Sequence, residues 1–249
     1  MPVTSERRGR VLIIRLDRPE KRNAMNGEMT RGLDAAMNQL EDDPDLWVGI
    51  LSGVPGVFSA GSDLRDGLQN STERGGPYGV VRRRRTKPLI AAVDGLAYGG
   101  GFEIVLACDL VVASRAARFA LPEVKRGLFA LYGGPFRAAH ALPPNVAREL
   151  ALTGDPLSAE RAEQLGLANL LCDPGRAIDE AVRLADRICS NGPVAVRETL
   201  RVINESIEAG DALAWKLSGE AAETIGKAED TREGVAAFLE KREPRWKGR

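Results

Sequence analysis

The stretch Gly99-Gly-Gly-Phe-Glu-Ile-Val-Leu-Ala-Cys-Asp109, with the apolar run Leu89-Ile-Ala-Ala-Val93 before it, decides the fold. The apolar run has the length and branched content of a buried strand. Phe102 to Cys108 is a compact apolar helical run, so the order is strand, glycine turn, helix. Glycines in that turn let the backbone approach a ligand with no side chain in the way. The first turn of a helix has unpaired N–H groups and the positive end of the dipole. An oxygen gaining negative charge is stabilised there. Glu103 lies one turn inside this helix, in an otherwise apolar stretch where a carboxylate needs a reason.

A second stretch, Phe58-Ser-Ala-Gly-Ser-Asp-Leu64, follows another apolar strand, Trp47-Val-Gly-Ile-Leu51. Two strand-to-helix turns facing each other would direct two backbone N–H donors at one oxygen. A third, Phe119-Ala-Leu-Pro-Glu-Val124, brings a second acid, Glu123, on a segment that the X-Pro pair predicts to be extended.

Outward from these stretches, strands and helices alternate, as in a parallel sheet with crossover helices. Val11–Leu16 reads as the first strand. Asn26 is a candidate N-cap for a helix over Gly27–Glu41, with Met29, Leu33, Met37 and Leu40 on one face. Gln69–Tyr78 is polar and glycine-rich and reads as a mobile loop. Leu110–Ala113 is a further short strand. From Pro143 the chain is nearly all helical. Asn145 is a candidate cap for a helix through Leu152, and Ser158 for one stopped by Gly166. Amphipathic helices follow over Ala177–Cys189, Val194–Glu208, Leu213–Lys227 and Thr231–Lys241.

The 249 residues carry 35 basic and 35 acidic side chains, so no global charge favours nucleic acid or a membrane surface. Arg82-Arg-Arg-Arg85 is a local exception and reads most simply as a solvated helix face. No apolar run reaches the ~18 residues of a membrane span. Three widely spaced cysteines, Cys108, Cys172 and Cys189, suit free thiols in a reducing compartment, and no secretory h-region follows the first residues. A cytoplasmic protein is expected. His140 is the single histidine; flanked by alanines, it reads as a helix-surface or satisfied core residue. No Cys/His spacing supports a metal. Gly99-Gly-Gly101 lacks the G-x-G-x-x-G spacing of a dinucleotide site.

The ordered combination of motifs resembles the enoyl-CoA hydratase/isomerase (crotonase) superfamily. Phe58–Leu64, Ile90–Asp109 and Phe119–Gly127 carry the resemblance. Arg18-Pro-Glu-Lys-Arg-Asn-Ala-Met25 and Glu233-Gly-Val-Ala-Ala-Phe-Leu-Glu-Lys-Arg242 flank it, so that it spans essentially the whole chain. It implies an α/β crotonase fold of repeated ββα units. Residues 1–190 would form the core with the active site, and 191–249 a helical region packing between subunits of a homotrimer or dimer of trimers.

The chemistry implied is addition of water at C3 and of a proton at C2 of a 2-enoyl-CoA thioester, or the reverse. Negative charge builds on the thioester oxygen, and one preorganised N–H donor is worth about 3–4 kcal/mol against it. The resemblance assigns the two donors to Ala60 and Gly100. It gives Glu123 the proton at C2 and Glu103 the water. Two carboxyl groups divide such work when their environments differ. Coenzyme A, as part of the substrate and with no separate cofactor, would lie along Arg22, Ala24, Ala60, Gly61, Ser62, Asp63 and Leu64, with Lys241 either reaching a neighbouring subunit's coenzyme phosphate or standing as a plain surface lysine. The basic run at Arg82 would be another phosphate contact. Retention of both glutamates favours hydration over isomerisation, with some resemblance to the carnitinyl-CoA dehydratase subgroup. An isomerase and a non-catalytic acyl-CoA binder are the alternatives. One departure is Gly127-Leu-Phe-Ala-Leu-Tyr-Gly-Gly-Pro-Phe-Arg137. Its bulky Phe129, Leu131, Tyr132 and Phe136 are either extra core or a reshaped acyl pocket, with Tyr132 bonding a polar substrate group.

Overall fold

A computed structural model describes residues 2–66, 70–208 and 210–247. The chain opens with an antiparallel pair, β1 (Val3–Arg8) and β2 (Val11–Leu16), followed by α1 (Gly27–Asp42), β3 (Val48–Ser52) and β4 (Gly56–Ser59). A small hairpin of β5 (Ser71–Thr72) and β6 (Gly76–Pro77) precedes β7 (Leu89–Val93), β8 (Gly95–Tyr98) and α2 (Gly100–Leu106). Next come β9 (Leu110–Ser114), β10 (Arg118–Ala120), α3 (Gly134–Ala141), α4 (Pro144–Thr153), β11 (Leu157–Ser158), α5 (Ala159–Gln164) and β12 (Leu170–Cys172). Four helices finish the chain: α6 (Ala177–Cys189), α7 (Pro193–Glu208), α8 (Asp211–Lys227) and α9 (Glu229–Glu240).

The strands form a six-stranded sheet, in the order β1-β2-β3-β7-β9-β12, and a four-stranded sheet, β11-β10-β8-β4. Successive strands β3/β4, β7/β8 and β9/β10 place the first member in the large sheet and the second in the small one. This is the repeated ββα unit. In the large sheet β2, β3, β7, β9 and β12 run parallel. Parallel strands are covered on both faces, and β3 and β7 are buried throughout. Ile50, Ile90 and Val112 pack with Ala181 and Ala185 of α6 on the outer face; Leu51, Ala91, Val93 and Val111 join the main core with α1 and the small sheet.

Several local expectations hold. The Asn26 side chain accepts the Met29 N–H at 2.9 Å, capping α1, and Ser158 accepts the Arg161 N–H at 3.2 Å, capping α5. Met29, Leu33, Met37 and Leu40 are all buried. Others are corrected. Val11–Leu16 is the second strand, because β1 reaches the sheet edge with one buried residue, Val3, and no apolar alternation to reveal it. Asn145 does not cap α4: the helix begins at Pro144, with Pro143 before it and no side-chain cap. Proline needs no partner for a missing N–H at this position. Glu123 is not on extended backbone but in a 3-10 turn, Pro122–Arg126, closed by Gly127 at φ +62°. Of the stretch read as a mobile loop, Gln69 lies outside the described residues; Asn70–Tyr78 is the β5–β6 hairpin with its closing turn. Thr72 Oγ1 anchors it to Asp34 of α1 at 2.7 Å.

Candidate active site

The site forms where β4, β8 and β10 of the small sheet end. Asn23 is the local hub. Fully buried and left-handed at φ +53°, it donates from Nδ2 to Leu16 O, Val57 O and Phe58 O at 3.0–3.2 Å and accepts the Arg18 N–H at 2.7 Å. Ser59 Oγ donates to Asn23 O at 2.8 Å. The segment after β2 is thereby fastened along the turn after β4. Asp63 stays in that turn through an ion pair with Arg18 at 2.9 Å.

Two turns then meet. Gly61, at φ +92°, lies so close to the turn before α2 that a Cβ on it would fall 2.9 Å from Gly100 N. Only glycine permits this approach. Backbone bonding decides which N–H groups remain available. Ala60 N–H donates to Arg22 O at 2.9 Å, Gly61 N–H to Ser59 Oγ at 3.2 Å, and Asp63 N–H to Met25 O at 2.9 Å. Among the described residues Ser62 N–H and Gly100 N–H have no such partner. The donor assigned to Ala60 is therefore already committed within the chain, and the available one in this turn belongs to Ser62. The choice depends on a partner, Arg22, 38 positions earlier, so the turn's own sequence carries no signal of it.

Both acids border the same space. Glu103 is 2 % exposed. Its Oε1 accepts the Tyr132 N–H at 2.7 Å and the Gly134 N–H at 2.9 Å. Burial, reinforced by the charge of Glu123, pushes its carboxyl up to about 8, while the two N–H bonds and Arg137 pull the other way. Glu123 Oε1 lies against Gly99, 2.9 Å from where a Cβ would stand. Its Oε2 is buried with no hydrogen-bond partner among the described residues. Burial pushes this carboxyl up to about 7, opposed by its own backbone N–H and by Arg126. A buried, unpartnered carboxyl oxygen is costly unless a ligand uses it.

These residues line one cavity of about 610 Å³. Arg22, Ala24, Ala60, Gly61, Ser62, Asp63, Leu64, Gly100, Glu103, Glu123, Tyr132 and Lys241 all border it. So do Phe129 and Leu131, whereas Phe136 packs edge-on to Trp215 at 5.0 Å instead. The bulky run is thus divided between pocket wall and core. Ala222, Ile225 and Phe238 close the far wall from α8 and α9, so the cavity draws on residues on both sides of position 190. Reading the sequence missed Tyr78, which is buried in this wall behind a polar hairpin.

The basic run is not the helix face expected, although Arg82 and Arg84 are exposed. Arg82–Arg85 is not helical, and none of the four borders the cavity. Arg83 is buried and paired with Asp34; Arg85 is paired with Asp109. Arg82 lies over the Trp215 ring at 3.7 Å. His140 stands half-exposed on α3, 3.7 Å from Asp211. Among the described residues no three His, Cys, Asp or Glu side chains converge as a metal site, and no helix is long and apolar enough to cross a membrane.

With this geometry in view, the likeness to known proteins is informative. The family model for enoyl-CoA hydratase/isomerase matches residues 6–249. Enoyl-CoA hydratase EchA19 of Mycobacterium tuberculosis is 38 % identical, over 98 % of this chain and 96 % of its own. The carnitinyl-CoA dehydratase of Proteus mirabilis is also 38 % identical, over 97 % of both chains. The crystal structure of carnitinyl-CoA hydratase from Mycobacterium avium superposes with a TM-score of 0.95 at 40 % identity, covering 100 % of this chain and 99 % of that one. The chain belongs to the enoyl-CoA hydratase/isomerase family and has the crotonase fold.

Proposed function

We propose that the protein is an enoyl-CoA hydratase, a hydro-lyase that adds water reversibly to 2-enoyl-CoA thioesters. The observation that carries this reading is the pair of carboxyl groups, buried Glu103 and partly buried Glu123 with its enclosed Oε2, bordering one cavity beside two backbone N–H groups that have no backbone partner among the described residues. Relatives named as enoyl-CoA, mevalonyl-CoA and short-chain-enoyl-CoA hydratases support it.

In the forward direction the thioester oxygen lies between Ser62 N–H and Gly100 N–H, which stabilise it as it gains charge. Glu103, its Oε1 held by two N–H donors, turns Oε2 to the water. The water oxygen bonds to C3 and its proton passes to Glu103. The C2–C3 π electrons move toward the carbonyl, and Glu123 then delivers its proton to C2. One proton enters the pair as one leaves, so the pair ends with the count it began with. The reacting form has Glu103 ionised and Glu123 protonated; with carboxyls raised to about 8 and about 7 it is the minor arrangement of the pair near neutrality, within about one unit of the major one. Coenzyme A enters as part of the substrate, along Arg22, Ala24 and the Gly61–Leu64 turn, with Lys241 at a phosphate. The half-buried Tyr132 ring in the acyl end, together with likeness to carnitinyl-CoA enzymes, favours polar acyl groups among the substrates. The C-terminal helices would assemble subunits into a trimer or a dimer of trimers.

The test is loss of conjugated-enoyl absorbance from crotonyl-CoA and a longer 2-enoyl-CoA, with water labelled in oxygen. Wild type is expected to incorporate solvent oxygen at C3. Glu103→Gln and Glu123→Gln are each expected to lose on the order of 10²–10⁴-fold in kcat. A shifted double bond without labelled oxygen would identify an isomerase and overturn the reading.

A further inference from the structure

Tyr78 borders the cavity but takes no part in the steps assigned to Glu103, Glu123 and the two N–H donors. Its backbone sits at φ +54°, between Gly76 at +64° and Gly79 at +78°. A bulky side chain adopts this conformation only where its surroundings impose it, and such strain clusters at functional sites. The turn is pinned by donation from Tyr78 N–H to Asn70 O at 2.9 Å, and the residue is 1 % exposed. The strained turn thus drives a phenol into the interior.

The phenol ends at the two donor turns. Tyr78 Oη is 2.5 Å from Ser62 Oγ. A Cβ on Gly100 would collide with the same oxygen, so Oη also rests against the second turn. The ring meets Tyr132 edge-on at 4.9 Å, and the Tyr132 N–H is one of the two that hold Glu103. A phenylalanine would fill the same volume; the hydroxyl adds a link between two backbone segments that are far apart in sequence.

We propose that Tyr78 is a positioning residue for the oxyanion hole: its hydroxyl, bonded to Ser62 Oγ and wedged against Gly100, fixes the spacing of the Ser62 and Gly100 N–H donors. This rests on the assignment of that hole under Proposed function. Burial keeps the phenol protonated, so the link survives across the working range of pH. A small error in donor placement weakens stabilisation of the developing charge while leaving ground-state thioester binding nearly intact.

Three variants test this: Tyr78→Phe, Ser62→Ala and the double substitution. Crotonyl-CoA hydration is measured together with the carbonyl stretch of bound butyryl-CoA labelled with carbon-13 at C1, a saturated thioester that cannot be hydrated. Tyr78→Phe is expected to lower kcat about tenfold with KM unchanged. Its bound carbonyl stretch should move back toward the solution frequency. Ser62→Ala keeps its N–H but loses the link, so it should match Tyr78→Phe, and the double variant should fall no further. A wild-type kcat and stretch in Tyr78→Phe would overturn the proposal. So would a lowered kcat with an unmoved stretch, the signature of a merely structural role. A wild-type protein that neither hydrates crotonyl-CoA nor shifts the carbonyl would overturn the assignment of the hole as well.

Discussion

Glu103 was visible in the sequence as an acid inside an apolar helix, and its burial has a thermodynamic consequence. A carboxyl raised from 4.5 to about 8 keeps its proton in the native state after the unfolded chain has released it. The native state then binds more protons across that window, so this group's contribution to stability falls as pH rises from about 4.5 to 8 and is flat above. Glu103→Gln removes the dependence and retains an acceptor for the Tyr132 and Gly134 N–H groups. The variant's Tm relative to wild type is expected to rise steadily between about pH 4.5 and 8, measured by calorimetry at constant ionic strength. A difference that does not vary with pH would contradict a raised carboxyl. What the sequence concealed at this scale was which N–H is available. Ala60 and Ser62 are both small residues in one turn, and only the bond from Ala60 to Arg22 O separates them. Tyr78 was hidden for a related reason: nothing in a polar, glycine-rich hairpin announces that one side chain turns inward.

Elements with their own pattern were legible. β3 and β7 are continuous apolar runs because both faces are covered, and α1 shows its stripe and its cap. The small sheet was not. Its strands span two to four residues, too few for a period, and they exist because β4, β8 and β10 lie parallel beside the large sheet, with a register shift in β4 between Val57 and Ser59. Asn23 holds that junction, and its sequence context, Lys-Arg-Asn-Ala-Met, suggests only a loop. Asn23→Ala would leave the Leu16, Val57 and Phe58 carbonyls without this donor and place alanine at positive φ. A loss of about 3 kcal/mol is expected in urea unfolding, together with weakened activity. A change under about 0.5 kcal/mol would show that solvent replaces these bonds freely.

For the molecule as a whole, the distribution of apolar surface stands out. Val202 and Ile203 of α7 and Leu213 and Leu217 of α8 are each more than half exposed in the single chain. Scattered exposure is ordinary, but this series runs along neighbouring helices. With the proposed assembly, sedimentation is expected to give three or six times the 26.8 kDa chain mass. A monomer at micromolar concentration would refute it. These same helices have a second duty, since Ala222, Ile225, Phe238 and Lys241 wall the cavity. Heat should therefore act on the protein in two stages. Fraying of the last helices would unroof the pocket while the sheets remain intact, so inactivation would precede loss of the core's circular dichroism, and cooling from between the two temperatures would restore turnover.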